Sequence, residues 1–177
     1  GLDSKGRPIV KSGTDPSPEG SYVCPDAGGN TNWQSPSYDP IRGLFYIAGA
    51  ETCAVYTRET KPPDPGQSYP GGGQQTDPKI GVPGFIRALD PRTGKAVWNF
   101  ALETGSYAAG VLSTSGGVVF AASEEGQLIA LDGRTGAELW HFQTGSRIAS
   151  SPIAYQVDGQ QRIAISTTTT LFTFGLP

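Results

Sequence analysis

The chain has 177 residues, enough for one domain with a sizeable core. Its 25 glycines, 15 prolines, lack of methionine and 16% charged residues argue against a helical bundle or coiled coil and suit a turn-dense all-β protein. A net charge of −3 without a basic stripe makes nucleic acid an unsuitable partner, and no apolar run approaches the roughly 20 residues of a membrane span.

Residues 1–29 read as a loop-rich N-terminal extension, with Arg7-Pro-Ile-Val-Lys as one short strand. No signal peptide is visible at Gly1, and the chain starts without Met, as expected of a mature product, a trimmed chain or a fragment. The stretch from Tyr22 to Pro40 is irregular, unlike ordinary strand or helix. Gly43-Leu-Phe-Tyr-Ile-Ala-Gly-Ala then reads as a strand. Residues 61–83, from Lys-Pro-Pro-Asp-Pro-Gly through Gly-Val-Pro, are a long low-complexity loop, a length that in compact domains marks function or disorder. From Gly84 onward strands are predicted at 84–89, 96–102, 107–114, 117–122, 127–131, 138–143, 149–156, 161–166 and 170–175.

Two of those segments are near-copies. Ala88-Leu-Asp-Pro-Arg-Thr-Gly-Lys-Ala-Val-Trp98 returns as Ala130-Leu-Asp-Gly-Arg-Thr-Gly-Ala-Glu-Leu-Trp140. A repeat of about 40–45 residues is the signature of a β-propeller blade. Each copy predicts strand, tight turn, strand: Asp and Thr bond local backbone groups and Gly supplies a positive φ. Four-stranded blades then span 30–105, interrupted by the 61–83 loop, and 106–147. An incomplete last blade of three strands spans 148–177. Propellers need about four to eight blades to close, so something outside this chain must complete the ring: further N-terminal blades, a companion chain or copies of itself.

Several residues carry ordinary readings. Trp98 and Trp140 recur at one repeat position and are expected to dock blade on blade. Asp39, Asp90 and Asp132 read as turn residues, Glu124-Glu125 as a solvated hairpin tip, and His141, the sole histidine, as a solvent-facing strand residue without triad partners. Cys24 and Cys53 are the only cysteines. They cannot make a four-ligand zinc site alone, and a bridge between them would close a loop of about 30 residues, worth roughly 3–4 kcal/mol.

The Ala-x-Asp-x-x-Thr-Gly-x-x-x-Trp repeat resembles the tryptophan-docking motif of quinoprotein alcohol and methanol dehydrogenases, eight-bladed propellers that bind pyrroloquinoline quinone (PQQ) and a calcium or lanthanide ion. Gly28-Gly-Asn-Thr-Asn-Trp-Gln-Ser-Pro-Ser-Tyr-Asp-Pro40 resembles that family's Gly-Gly-x-Asn-Trp segment. Gly110-Val-Leu-Ser-Thr-Ser-Gly-Gly-Val-Val-Phe120 and Leu139-Trp-His-Phe-Gln-Thr-Gly-Ser146 resemble its last full blade, and Leu171-Phe-Thr-Phe-Gly-Leu-Pro177 its C-terminus. The likeness covers about residues 20–177 and only the C-terminal third of the family.

This resemblance implies part of an enzyme. The family's general base, main metal ligands and vicinal-cysteine disulfide have no counterpart here, so no catalytic or metal-ligating residue is expected in the chain. Asn32 would donate to the quinone's oxygens and Trp33 would pack at the pocket edge. Tyr107 and Ala108 stand where the family carries Trp-Gly-Gly or Trp-Ala-Gly. The resemblance further implies a Cys24–Cys53 disulfide, a periplasmic or otherwise extracytoplasmic location, and a cytochrome as electron acceptor. The alternative expectation is a non-catalytic propeller scaffold for protein interaction.

Overall fold

A computed structural model describes residues 1–76, 84–103 and 109–175; Tyr107 and Ala108 lie outside the described residues. The strands are β1 (Ser21–Val23), β2 (Ser37–Asp39), β3 (Leu44–Gly49), β4 (Ala54–Arg58), β5 (Gly72–Thr76), β6 (Phe85–Leu89) and β7 (Ala96–Ala101). They continue as β8 (Leu112–Ser113), β9 (Val118–Ala122), β10 (Gln127–Asp132), β11 (Glu138–Gln143), β12 (Ile153–Val157), β13 (Gln160–Ser166) and β14 (Leu171–Gly175). The described residues contain no helix.

The chain divides into two compact units. The larger comprises 30–50 and 82–177 and holds three antiparallel sheets ordered β2-β3-β6-β7, β8-β9-β10-β11 and β12-β13-β14. These are propeller blades. In the middle blade, β10 is buried on both faces, which is why Gln127-Leu-Ile-Ala-Leu-Asp reads as an unbroken apolar run rather than an alternating one. Ile129 and Leu131 pack with Val119 and Ala121 against Tyr46, Ile86 and Ala88 of the first blade. On the other face, Leu128 and Ala122 pack with Ile148, Ile165, Phe172 and Phe174 of the third.

The two repeat copies fold alike. Asp90 Oδ1 accepts the Arg92 N–H at 2.9 Å, and Asp132 Oδ1 accepts the N–H groups of Arg134 and Thr135 at 2.9 and 2.8 Å. Gly94 and Gly136 close the turns at φ 68° and 73°. Both hairpins slip register at the same place: Ala88 faces Trp98 while Leu89 faces Ala96, and Ala130 faces Trp140 while Leu131 faces Glu138. Val97 and Leu139 are therefore the extra, bulged residues, and both are exposed.

The smaller unit, 1–29 and 51–81, holds the sheet β1-β4-β5. Here the structure departs from the sequence reading. Residues within the 61–83 loop form β5, and the excursion between β3 and β6 begins at Glu51. Arg7–Lys11 is not a strand; it contributes only a Leu2–Pro8 bridge. Ser37–Asp39, inside the stretch read as irregular, is the first strand of its blade.

Candidate functional site

The segment that enters the first blade carries Asn32 and Trp33. Its start is fixed by the Ala50 N–H donating to the Asn30 carbonyl at 3.0 Å, and Gly49 leaves room for that carbonyl: a Cβ there would lie 2.5 Å from it. Gln34 is buried, which anchors the segment while Asn32 and Trp33 face outward. Trp33 is 63% exposed, an unusual state for the largest apolar ring.

Two residues further on, this segment meets the second and third blades. The Val111 N–H donates to the Ser35 carbonyl at 2.9 Å. Gly110 lies so close that a Cβ would stand 2.8 Å from the Ser35 amide nitrogen and carbonyl oxygen, and would collide with Ser151 Oγ. Just inward, Ser37 Oγ and Ser113 Oγ are 2.7 Å apart, and the Ser113 N–H donates to Ser37 Oγ at 2.9 Å. The entering segments of three blades thus converge beside Asn32 and Trp33. The sequence does not flag Ser35, Gly110 and Ser151; the only signal is a recurring serine pair at each blade entry, Gln34-Ser-Pro-Ser, Leu112-Ser-Thr-Ser and Ala149-Ser-Ser-Pro.

A flat exposed indole beside a carboxamide suits one wall of a pocket for a planar, oxygen-rich ligand. The described residues hold no cluster of three or more His, Cys, Asp or Glu placed to bind a metal ion.

At the other end of the blades, Tyr46 Oη and Trp98 Nε1 both donate to the Gly133 carbonyl, at 2.9 and 3.0 Å. Gly136 lies under the Trp98 ring, where a Cβ would be 2.7 Å from it. Burial, with the nearby Asp39 carboxylate, pushes the Tyr46 phenol up to about 12. Asp39 is more than a turn residue. It is 3% exposed and accepts Arg42 Nη1 at 2.7 Å. Burial pushes its carboxyl up, but the Arg42 guanidinium and the backbone N–H groups of Arg42 and Ile41 outweigh burial and hold it below the usual range.

Trp140 touches Phe142 and Phe174 with ring centroids at 6.2 and 5.4 Å, yet stays 41% exposed. His141 Nδ1 sits 2.6 Å from Glu138 Oε1, a surface pair beside the strand. Glu124 is not simply solvated; Arg147 Nη2 reaches it at 2.6 Å. In the smaller unit, Cys24 and Cys53 are joined, with Cα atoms 4.4 Å apart.

Stacked antiparallel blades, two of four strands and one of three, with tryptophans at their seams, define a β-propeller segment. The family model described as outer membrane protein assembly factor BamB (PQQ_2) matches residues 83–173, and the chain belongs to this PQQ propeller family. Over 176 residues, 93% of its length, it is 35% identical to the quinoprotein alcohol dehydrogenase PedH of Pseudomonas putida, covering 29% of that protein. It is 36% identical to the 1-butanol dehydrogenase (quinone) of Thauera butanivorans, over 93% of this chain and 28% of that one. The solved quinohemoprotein alcohol dehydrogenase ADHIIG of Pseudomonas putida HK5 superposes with a TM-score of 0.85 at 28% identity, over 97% of this chain and 27% of the other. The chain therefore spans under a third of these relatives' length.

Proposed function

We propose that this chain is the C-terminal part of a quinoprotein that oxidises alcohols, supplying one wall of the PQQ pocket and helping to close the propeller ring. The observation that carries this reading is that Asn32 and the 63%-exposed Trp33 are both exposed on the segment where three blade entries converge. When bound, PQQ would supply the two-electron acceptor that alcohol oxidation needs, and Asn32 and Trp33 are the residues of this chain that would hold its edge. Asn32 orients the quinone through its amide donors. Trp33 offers a flat apolar surface and keeps water from that edge. The calcium or lanthanide ion and the base that takes the hydroxyl proton belong to the remaining blades or to a companion chain. A cytochrome is the proposed electron acceptor.

Ring closure rests on a contrast between the two repeat tryptophans. Trp98 is capped by the Gly133–Gly136 turn of the next blade, whereas Trp140 and Phe142 stay partly exposed beside β14, whose outer edge pairs with no described strand. A fourth strand from the rest of the protein would cover both. The Cys24–Cys53 bridge favours an extracytoplasmic, periplasmic location. No helix among the described residues is long and apolar enough to cross a membrane.

The test is quinone uptake by the complete protein. With PQQ and calcium or lanthanum added, stoichiometric binding and alcohol-dependent dye reduction are expected. A protein that takes up no quinone would favour the second reading, a non-catalytic propeller scaffold, which the description of the matching family model supports.

A further inference from the structure

We propose that Ser151 is a ligand-contacting residue of the same pocket wall, donating its hydroxyl to an oxygen of the quinone, with Gly110 as the spacer that lets it approach. This rests on the reading of the chain as part of a quinoprotein. Three observations carry it. First, Ser151 stands at the convergence of blade entries: its Oγ lies against Gly110, and Gly110 lies against the Ser35 backbone, two residues from Trp33. Second, Ser151 is a half-buried residue whose hydroxyl has no hydrogen-bond partner among the described residues. Its neighbour is different: Ser150 Oγ donates to the Ser166 carbonyl at 2.8 Å and accepts the Ser166 N–H at 3.0 Å, so it ties the third blade together. Third, any side chain at position 110 would fill the space at Ser151 Oγ.

A half-buried hydroxyl gains by donating to a ligand oxygen, most of all to a charged carboxylate. PQQ presents both quinone oxygens and carboxylates. Ser151 would thus bring the third blade into the site, where Asn32 and Trp33 bring only the first.

The experiment uses the complete protein and PQQ in the presence of calcium or lanthanum chloride, with affinity read by fluorescence quenching and folding by thermal denaturation without quinone. Ser151→Ala is expected to weaken PQQ binding about 5–20-fold with an unchanged quinone-free melting temperature. Ser150→Ala is expected to do the reverse, lowering the melting temperature while keeping PQQ affinity. Parent-like affinity in Ser151→Ala, or a loss of stability without a loss of affinity, overturns the proposal while leaving the quinoprotein reading intact. A parent protein that binds no PQQ overturns both.

Discussion

Tyr46 and Trp98 end on one atom. The phenol of a central strand and the indole of an outer strand both donate to the carbonyl oxygen of Gly133, in the next blade. Their rings lie 5.8 Å apart, tilted by 34°. A carbonyl oxygen has two lone pairs, and here both serve a joint between blades.

This shared acceptor predicts non-additivity. Trp98→Phe and Tyr46→Phe should each cost about 1–2 kcal/mol from the lost hydrogen bond. The double variant should lose more than their sum, because the second deletion leaves the carbonyl with neither side-chain donor. A double-mutant cycle by urea unfolding measures this; strict additivity would show that the two bonds are independent.

Alkaline stability follows from the same phenol. Its ordinary value is 10.0, and the fold raises it to about 12. The folded state then holds the proton more tightly, so the stabilisation is complete below pH 10 and disappears as pH climbs toward 12. Melting temperature should fall across that window, by a contribution of roughly 2–3 kcal/mol at its end. Tyr46→Phe should flatten the curve.

The acid limb has the opposite sign. Asp39 is held below the ordinary carboxyl value of 3.8, so its contribution is present above that pH and lost as pH falls through the depressed value. Asp39→Asn should cost roughly 2–4 kcal/mol at neutral pH, by leaving Arg42 beside Gly117 without its partner, and should weaken the pH dependence below 4. Denaturation midpoints from pH 2 to 7 decide the matter.

Gly136→Ala tests blade docking. The residue sits at φ 73° and its Cα faces the Trp98 ring. A methyl there meets both a disfavoured backbone region and the indole, for a cost of at least about 1–2 kcal/mol. Trp98 emission should shift to the red as the ring is displaced. Gly94→Ala meets the same backbone penalty but no neighbour within 4 Å, and should leave Trp98 emission unchanged.

Reduction of Cys24–Cys53 should act locally. The bridge joins two residues of the smaller unit across a sequence separation of 29, worth roughly 3–4 kcal/mol, while the intervening residues 30–50 belong to the larger unit. Hydrogen exchange after reduction should speed up in β1, β4 and β5 and stay slow in β9 and β10. Equal loss in both sheets would show that the two units unfold together.

The blades were legible in the sequence because their information is local. Asp-x-x-Thr-Gly writes out its own turn, and apolar runs such as Gln127–Asp132 announce burial on both faces. The smaller sheet was not. Gly72-Gly-Gln-Gln-Thr76 has no apolar alternation and is mostly exposed; its pairing with β4 holds it in place. Ser37–Asp39 was hidden between Pro36 and Pro40, which read as loop punctuation. At the candidate site, only family likeness singles out Asn32 and Trp33. Ser35, Gly110 and Ser151 are far apart in the chain and meet only through folding.

The Gly133 joint is made to the main chain, and every residue type carries a carbonyl. The corresponding position in the first copy is Pro91, a residue with no N–H but with a carbonyl of its own. What the acceptor position asks for is smallness, since a Cβ at Gly133 would lie 2.9 Å from both the Tyr46 hydroxyl and the Gly117 carbonyl. New blades can be appended by copying one hairpin, without inventing a matched pair of side chains for every seam.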